Sequence, residues 1–598
     1  MTLTRPSYDA ALALRADPLF RPARDARVLD AADIHVASRL GTLAGEQDPL
    51  ARLALALAVR AVRKGSTCLD LGEAVGIPDE VRRAGEEPDV ADLLARDWPT
   101  DAAAWRTAVA GSALASAGVL AVEHDLVYLD RYRRQEVQVA QTLTDRLREQ
   151  PPQVAEDVLA EGLRRLFPQA GWAEQSAVAG RAVRQWTTVL TGGPGTGKTT
   201  TVAGILALLA EQHEALGGSG RLRVGLAAPT GKAAARLQES IAQAASVFGA
   251  TDQARVSGLE ASTLHRLLGW NPRQRNRFRH GADNRLPHDV IVVDETSMVD
   301  LTMMARLLEA VRPRTRLLLV GDPDQLASVD AGAVLADLVD GYQQVAPDTV
   351  ARLLVSRRFD ESIGAVAAAI RDGDADRVVE LLRDAGDSTS WIEQEDPTEL
   401  LRPRLVERAL RLRRLAADGD VTGGLAALGE HRLLCARRTG SRGVTGWNRV
   451  VDQWLSEATG DPLWDPMYVG RPLLVTRNDY ALGLLNGDSG LVVAGADGAP
   501  TAAMVTAGGV VQLGAGRLSD VETMHAMTVH KSQGSEAPEI TVLLPEDESP
   551  MLVRELLYTA VTRAGSKVTV VGSEEAVRTA VATRIRRASG LRQRLQAD

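Results

Sequence analysis

The sequence predicts an α/β protein: two doubly wound domains with parallel sheets, a mainly helical N-terminal region and a small β-rich insert. Three observations carry that expectation. From about residue 156 onward, short apolar runs alternate with helical patterns. One of those runs leads into a glycine-rich loop that opens a helix. Between about 465 and 520 stands a stretch rich in Gly, Val and Leu, with tight-turn residues and no helical pattern.

At 598 residues the chain has room for three to five domains, at roughly 100–200 residues each. Apolar residues at 45% and charged residues at 25% are ordinary for globular proteins, so several packed cores are expected. The formal net charge of −9 gives no global basic signature. That argues against wholesale coating of duplex DNA and leaves room for a local basic cleft. The two cysteines, Cys68 and Cys435, form no disulfide framework or zinc pattern, which fits a reducing cytoplasm. The first twenty residues carry acidic side chains and no long apolar run, so no signal peptide is expected. No stretch of about 18 apolar residues suggests a membrane span. Positive charge is almost all arginine; the five lysines are Lys64, Lys198, Lys232, Lys531 and Lys567. Three of them fall in the motifs below, where a slim ammonium suits a phosphate cradle better than a guanidinium.

Residues 1–150 form the expected N-terminal region, with helical spacing over Pro49–Arg63, a strand at 126–132 and a helix at 136–149. Pro151 and Pro152 mark a linker. The first α/β domain is expected over 151–349, with strands at 187–191, Val224–Ala228, Val290–Val293 and 317–320. Each is a short buried run, as in a parallel sheet covered on both faces. The second is expected over 350–598, with strands at 433–436, 540–544 and 567–571. The 465–520 insert lies within it, with turns at Asn486-Gly487-Asp488 and Asp497-Gly498.

Gly192-Gly193-Pro194-Gly195-Thr196-Gly197-Lys198-Thr199 matches the P-loop pattern, and Thr200 continues it. The glycines let backbone N–H groups approach phosphate oxygens, and the helix N-terminus adds its dipole. Lys198 is expected to reach the β- and γ-phosphates of ATP, and the Thr199 hydroxyl to ligate Mg²⁺. The apolar run Val290–Val293 ends in Asp294-Glu295 at the carboxyl edge of the sheet, where ligands bind. Asp294 is the second expected Mg²⁺ ligand, and Glu295 the residue that activates the attacking water. These two motifs alone indicate a P-loop NTPase and leave the substrate open.

Further motifs narrow the choice. Ala228-Pro229-Thr230-Gly231-Lys232 opens a helix with a hydroxyl, a glycine N–H and an ammonium, all able to bind phosphate. Ser262-Thr263-Leu264-His265 follows, then Gly321-Asp322-Pro323-Asp324-Gln325-Leu326, in which Gln325 is placed to sense a γ-phosphate. Later come Ser356-Arg357-Arg358-Phe359, Thr528-Val529-His530-Lys531-Ser532-Gln533-Gly534 and Leu557-Tyr558-Thr559-Ala560-Val561-Thr562-Arg563. Two arginines reaching across a cleft suit the charge of a transferring phosphoryl group.

This ordered set resembles that of superfamily 1 helicases, and it is similar to the 5′-to-3′ branch that contains the RecD family. "VDETSMVD", "LLLVGDPDQLASVDAGAVL", "TVHKSQGSE" and "LLYTAVTRA" carry the likeness, which spans about residues 170 to 575. The resemblance implies two RecA-like domains with ATP and Mg²⁺ between them and an SH3-like insert. It also implies ATP-driven movement along single-stranded DNA. Gln175 falls at the family's adenine-reading glutamine, and Arg358 and Arg563 at its two γ-phosphate arginines. Thr230, Lys232, Thr263, His265, His530, Lys531 and Ser532 fall in its DNA-contacting motifs. Residues 270–288, with Arg273, Arg275, Arg277, Arg279 and Arg285 around Phe278, lie where the family carries a strand-separating hairpin.

The implied partners are single-stranded DNA, duplex DNA ends and RecB-like and RecC-like subunits in a heterotrimer acting in double-strand break repair, the N-terminal region docking the RecC-like one. Three other readings stay open: a stand-alone relative, a P-loop enzyme acting on a small substrate, and a clamp subunit with a relic site. No acidic cluster beyond the nucleotide motifs suggests a nuclease.

Overall fold

The computed structural model describes residues 17–83, 88–271, 277–356, 361–384, 386–394, 396–495, 498–506, 508–545 and 549–597. The N-terminal region wraps helices around a small antiparallel sheet, in the order Leu69–Asp70, Leu126–Leu129, Leu120–Glu123. Its central helix is Pro49–Arg63. Asp48 caps it by accepting from the Leu50 N–H, and Pro49 takes the first turn, where no donor is needed. Ala51 and the run from Leu53 to Ala58 are buried, and the helix packs with Phe20, Trp98 and Trp105 into one core.

The first α/β domain has six parallel strands. Their order is Ala261–Thr263, Val224–Ala228, Val290–Val293, Arg316–Gly321, Thr187–Gly192 and Val350–Leu353. Alternation along the strands serves two cores. Val290, Val292, Leu318 and Val320 face the helix Lys198–Ala215, while Ile291, Val293, Leu317 and Leu319 face Leu301–Ala310 and Val334–Val345. The second α/β domain has five parallel strands, ordered Thr389–Ile392, Ala564–Val571, Ala537–Leu543, His431–Cys435 and Ala526–Thr528. Between helix Val444–Thr459 and strand Ala526–Thr528 the chain makes a separate five-stranded antiparallel sheet. That sheet stands where the β-rich insert was expected.

Three boundaries differ from those read in the sequence. The strand at 126–132 stops at Leu129, and the following helix starts early, at Asp130, and runs to Arg148. Its Val139, Ala140 and Leu143 join the core of the first α/β domain rather than that of the N-terminal region. Strand Val350–Leu353 pairs with Thr187–Gly192 as the edge of the first sheet, so that domain extends past residue 349. The final helix, Leu591–Ala597, also returns to the first domain, where Leu591 and Leu595 pack on the core.

Arg146 locks helix Asp130–Arg148 in place. Its buried guanidinium donates to Thr187 Oγ1 (2.8 Å) and to the carbonyls of Trp186 (2.7 Å), Thr315 (2.6 Å), Arg312 (2.9 Å) and Pro313 (3.0 Å). Burial pushes its pKa down to about 10, so it remains charged at neutral pH. Arg146→Ala leaves several buried acceptors without donors and is expected to cost about 3 kcal/mol. Urea unfolding followed by tryptophan fluorescence would register this as a lower midpoint; an unchanged midpoint would contradict it.

Candidate active site and nucleic-acid interface

Strand Thr187–Gly192 delivers the chain to a loop that only glycine can complete. Gly195 (φ 78°) and Gly197 (φ 85°) both take left-handed backbone, which costs other residues strain. Helix Lys198–Ala215 starts directly after. The Lys198 ammonium donates to the carbonyls of Gly192 (2.6 Å) and Gly193 (3.0 Å), and Thr196 Oγ1 donates to Gly193 O at 2.9 Å. Thr199 and Thr200 lie half-buried in the first helical turn. Pro194 is buried, and its carbonyl accepts from the Ser356 hydroxyl at 3.1 Å. Gln175, also buried, donates through Nε2 to Thr196 O at 3.2 Å. Its Oε1 is buried with no partner among the described residues.

Asp294 follows the next strand but one in the sheet, its N–H donating to Ala227 O at 2.9 Å. It keeps a partly open surface yet lies deep among protein atoms. Burial and the adjacent Glu295 carboxylate hold its pKa above the ordinary range, against the pull of Lys198. Glu295 itself takes left-handed backbone (φ 50°), a conformation costing about 1–3 kcal/mol. The turn is secured by Thr296 Oγ1 donating to Val293 O at 2.9 Å. Among the described residues no group of three or more His, Cys, Asp or Glu side chains is placed to hold a metal alone.

The second α/β domain grips one loop of the first. Gln325 Nε2 donates to Asp322 Oδ2 at 3.0 Å, and Gln325 Oε1 accepts from Arg563 Nη2 at 2.8 Å. The Leu326 N–H donates to Thr559 Oγ1 at 2.9 Å, and the Leu326 carbonyl accepts from Gln533 Nε2 at 2.8 Å. The Tyr558 hydroxyl donates to Asp322 Oδ2 at 3.1 Å. All of these groups are buried. The structure thus brings Lys198, Asp294, Asp322, Gln325 and Arg563 to one cleft edge. Arg358 lies outside the described residues.

The expected nucleic-acid residues sit at the starts of helices, one of fifteen residues and two of four. Thr230 caps helix Gly231–Ala245 by accepting from Ala233 N at 3.2 Å. Thr263 does the same for Arg266 N, and Thr528 for Lys531 N, each at 3.2 Å. Lys232 is half-buried; burial and Arg432 push its pKa down to about 8, while Asp488 of the insert opposes that. The insert comes so close here that a Cβ on Gly231 would lie 2.0 Å from Leu485 Cδ1. Lys531 pairs with Glu522 at 3.3 Å, and His530 is half-buried, its pKa lowered by burial and Arg587.

His265 is exposed and contacts both Trp270 and Phe278, with ring centroids 5.9 Å apart in each case. Trp270 and Phe278 face each other as an antiparallel bridge, closing the base of the expected hairpin. Arg273 and Arg275 fall outside the described residues, and Arg277 and Arg279 are exposed. Two expectations need correction. Ser532 is buried, and its hydroxyl donates to Val529 O at 2.7 Å, so it offers nothing to a strand on the surface. Arg285 turns to the protein body, donating to Val311 O at 2.6 Å.

Comparison with known proteins matches three family models: an AAA domain over residues 174–331, a UvrD-like helicase C-terminal domain over 523–571, and the N-terminal domain of RecBCD enzyme subunit RecD over 25–126. The RecBCD enzyme subunit RecD of Mycobacterium tuberculosis is 55% identical over 98% of this chain and 98% of its own. That of Mycolicibacterium smegmatis is 55% identical over 96% of this chain and 98% of its own. The chain belongs to the RecD family. The ATP-dependent RecD2 DNA helicase of Deinococcus radiodurans is 34% identical over 68% of this chain and 50% of its own.

Sequence reasoning missed some RecD-family residues at the cleft. Tyr558, Thr559 and Gln533 stood inside quoted motifs without a role. Thr559 precedes Arg563 by four residues, one helical turn, and Arg563 Nε donates to its carbonyl at 3.2 Å.

The Arg563–Gln325 bond is buried on both sides, so removing either partner strands the other. In a double-mutant cycle of Arg563→Ala and Gln325→Ala, read by unfolding free energy, a coupling of about 1–3 kcal/mol is expected. Additive losses would mean that the two side chains do not hold each other.

Proposed function

We propose that this RecD-family chain is an ATP-dependent DNA motor, the helicase subunit of a RecBCD-type helicase–nuclease, moving 5′-to-3′ along single-stranded DNA. The observation that carries the reading is the grip of the second α/β domain on the loop from Asp322 to Leu326, beside the P-loop. A nucleotide phosphate entering there meets groups from both domains. ATP occupies the Lys198 cleft. The backbone N–H groups of Gly195 to Thr200 cradle the phosphates. Lys198 leaves the Gly192 and Gly193 carbonyls for the β- and γ-phosphates, and Gln175 offers its unpartnered Oε1 to an amino group of the base.

The Thr199 hydroxyl and the Asp294 carboxylate suit Mg²⁺, which takes a few hard oxygen ligands and completes its shell with phosphate and water. The raised pKa of Asp294 fits a carboxylate awaiting a cation. When bound, Mg²⁺ neutralises the developing charge on the transferring phosphoryl group. Glu295 orients the attacking water and takes its proton. Arg563, with Arg358 from its own motif, supplies fixed positive charge to the γ-phosphate. Loss of that phosphate frees Arg563 and Gln325 to shift, and the two domains move apart.

Thr230, Lys232, Thr263, His530 and Lys531 provide the DNA side, gripping the strand backbone on alternate domains. The hairpin around Trp270 and Phe278, with His265, stacks against bases where strands part. The N-terminal region docks a RecC-like partner, and a RecB-like subunit completes the heterotrimer acting on duplex ends. With chromosomal DNA as its substrate, the proposed location is the cytoplasm.

Lys198→Ala, in the folded full-length chain, should remove single-strand-stimulated ATP turnover; a folded mutant with normal turnover would refute the site. A second outcome follows from Lys232, which carries its charge below about pH 8 and loses it above. Single-strand affinity should fall between about pH 7 and 9, and Lys232→Arg, charged throughout, should flatten that fall. Identical pH profiles for the two proteins would exclude Lys232 from the DNA contact.

A further inference from the structure

One side chain of the second α/β domain reaches the P-loop without a role in the proposed chemistry. Tyr558 stands in helix Arg554–Val561 and is buried, with only 4% of its surface exposed. Its hydroxyl donates to Asp322 Oδ2 (3.1 Å), the same oxygen that accepts from Gln325 Nε2 (3.0 Å). The other Asp322 oxygen accepts from the Asp324 N–H at 3.1 Å. Gln325 Oε1 is held in turn by Arg563 at 2.8 Å. Tyr558 and Arg563 therefore hold the two ends of one Asp322–Gln325 unit.

The P-loop lies against the same hydroxyl. A Cβ on Gly193 would come 2.9 Å from Tyr558 Oη, so a side chain there would push the phenol aside. The Gly193 carbonyl is one of the two that hold the Lys198 ammonium. Lys198 also acts on Asp322, opposing the upward push that burial gives its carboxyl. An Asp322 carboxylate free to swing would pair with that ammonium and compete with the incoming γ-phosphate. Among the described residues three donors restrain it: Gln325, the Asp324 N–H and Tyr558. Of these, Tyr558 alone comes from the opposite domain.

We propose that Tyr558 is a positioning residue for the ATP reaction: its hydroxyl holds Asp322 off Lys198 and keeps Gln325 aligned with Arg563, so that the cleft discriminates triphosphate from diphosphate. The phenol stays a donor, because burial and the Asp322 and Asp324 carboxylates raise its pKa well above the ordinary value. The Tyr558 hydrogen bond to Asp322 then joins the Arg563–Gln325 bond in setting the aim of the arginine when ATP closes the cleft. The proposal rests on the Lys198 cleft being the ATP site.

Tyr558→Phe keeps the ring and removes only the donor. Equilibrium binding of a fluorescent non-hydrolysable ATP analogue and a fluorescent ADP would be measured on the full-length chain, with Lys198→Ala alongside. Tyr558→Phe should weaken the triphosphate about tenfold and leave the diphosphate within about twofold, with an unchanged melting temperature. In an Asp322→Asn background the same change should add less than about twofold, because the restraint has lost its object. Equal weakening of both nucleotides would make Tyr558 a packing residue, and no weakening would make it idle; either overturns the proposal. A wild-type chain binding neither analogue, or Lys198→Ala binding both normally, would instead overturn the ATP-site reading and this proposal with it.

Discussion

The buried hydrogen bonds on the loop from Asp322 to Leu326 are the constraint on which the arrangement of the motor depends. Tyr558, Thr559, Arg563 and Gln533 all come from the second α/β domain, and all land on Asp322, Gln325 or Leu326. The loop leaves the carboxyl edge of a central strand, where an open α/β sheet presents its ligand site. A bond between neutral groups of this kind is worth about 1 kcal/mol net, and one to a charged group somewhat more. No single one welds the domains. Together they are weak enough to be remade in each cycle and directional enough to carry a change at the phosphate into the second domain.

The C-terminal segment ties the same loop to the N-terminal region. The Arg587 guanidinium donates to the carbonyls of Ser328 (2.6 Å), Asp330 (3.1 Å) and Gly332 (3.2 Å), immediately downstream of Leu326. Gly65 lies flat against that guanidinium; a Cβ there would stand 2.8 Å from Arg587 Cζ, and its φ of +93° suits glycine alone. Beyond Arg587, Ala588 exchanges hydrogen bonds with Ser66 and Thr67. The fully buried carboxylate of Glu136 then accepts from Thr67, Ser589, the Gly590 N–H and Arg594. A buried carboxylate is tolerable only with such a full set of donors. The N-terminal region is therefore braced on the first α/β domain by the last residues of the chain.

Much of this could be read from the sequence where the physics is local. The P-loop, the Asp294-Glu295 pair and the central strands announce themselves, because an apolar run followed by glycine or a carboxylate has few other structural uses. Local pattern failed where the determinant was remote or the element was an edge. Strand Val350–Leu353 has four residues with exposed Arg352 among them, too brief and too polar to read as a sheet member. Helix Asp130–Arg148 begins with charged residues, and its apolar face, Val139, Ala140 and Leu143, appears only in its second half. Ser532 follows two predicted contact residues but turns inward, since successive residues of a helical turn point about 100° apart. The bond from Tyr558 to Asp322 joins residues 236 positions apart, and no window of sequence contains it.

In the proposed mechanism the two α/β domains are separate bodies that nucleotide draws closer together through the Asp322–Leu326 loop. Spin labels on exposed Gln243 of the first domain and exposed Glu380 of the second would measure it, because both native cysteines are buried and should label poorly. Pulsed dipolar spectroscopy on the full-length chain should give a shorter and narrower distance distribution with a non-hydrolysable ATP analogue and Mg²⁺ than without nucleotide, and Lys198→Ala should abolish the shift. A distribution indifferent to nucleotide in the wild-type chain would contradict the account.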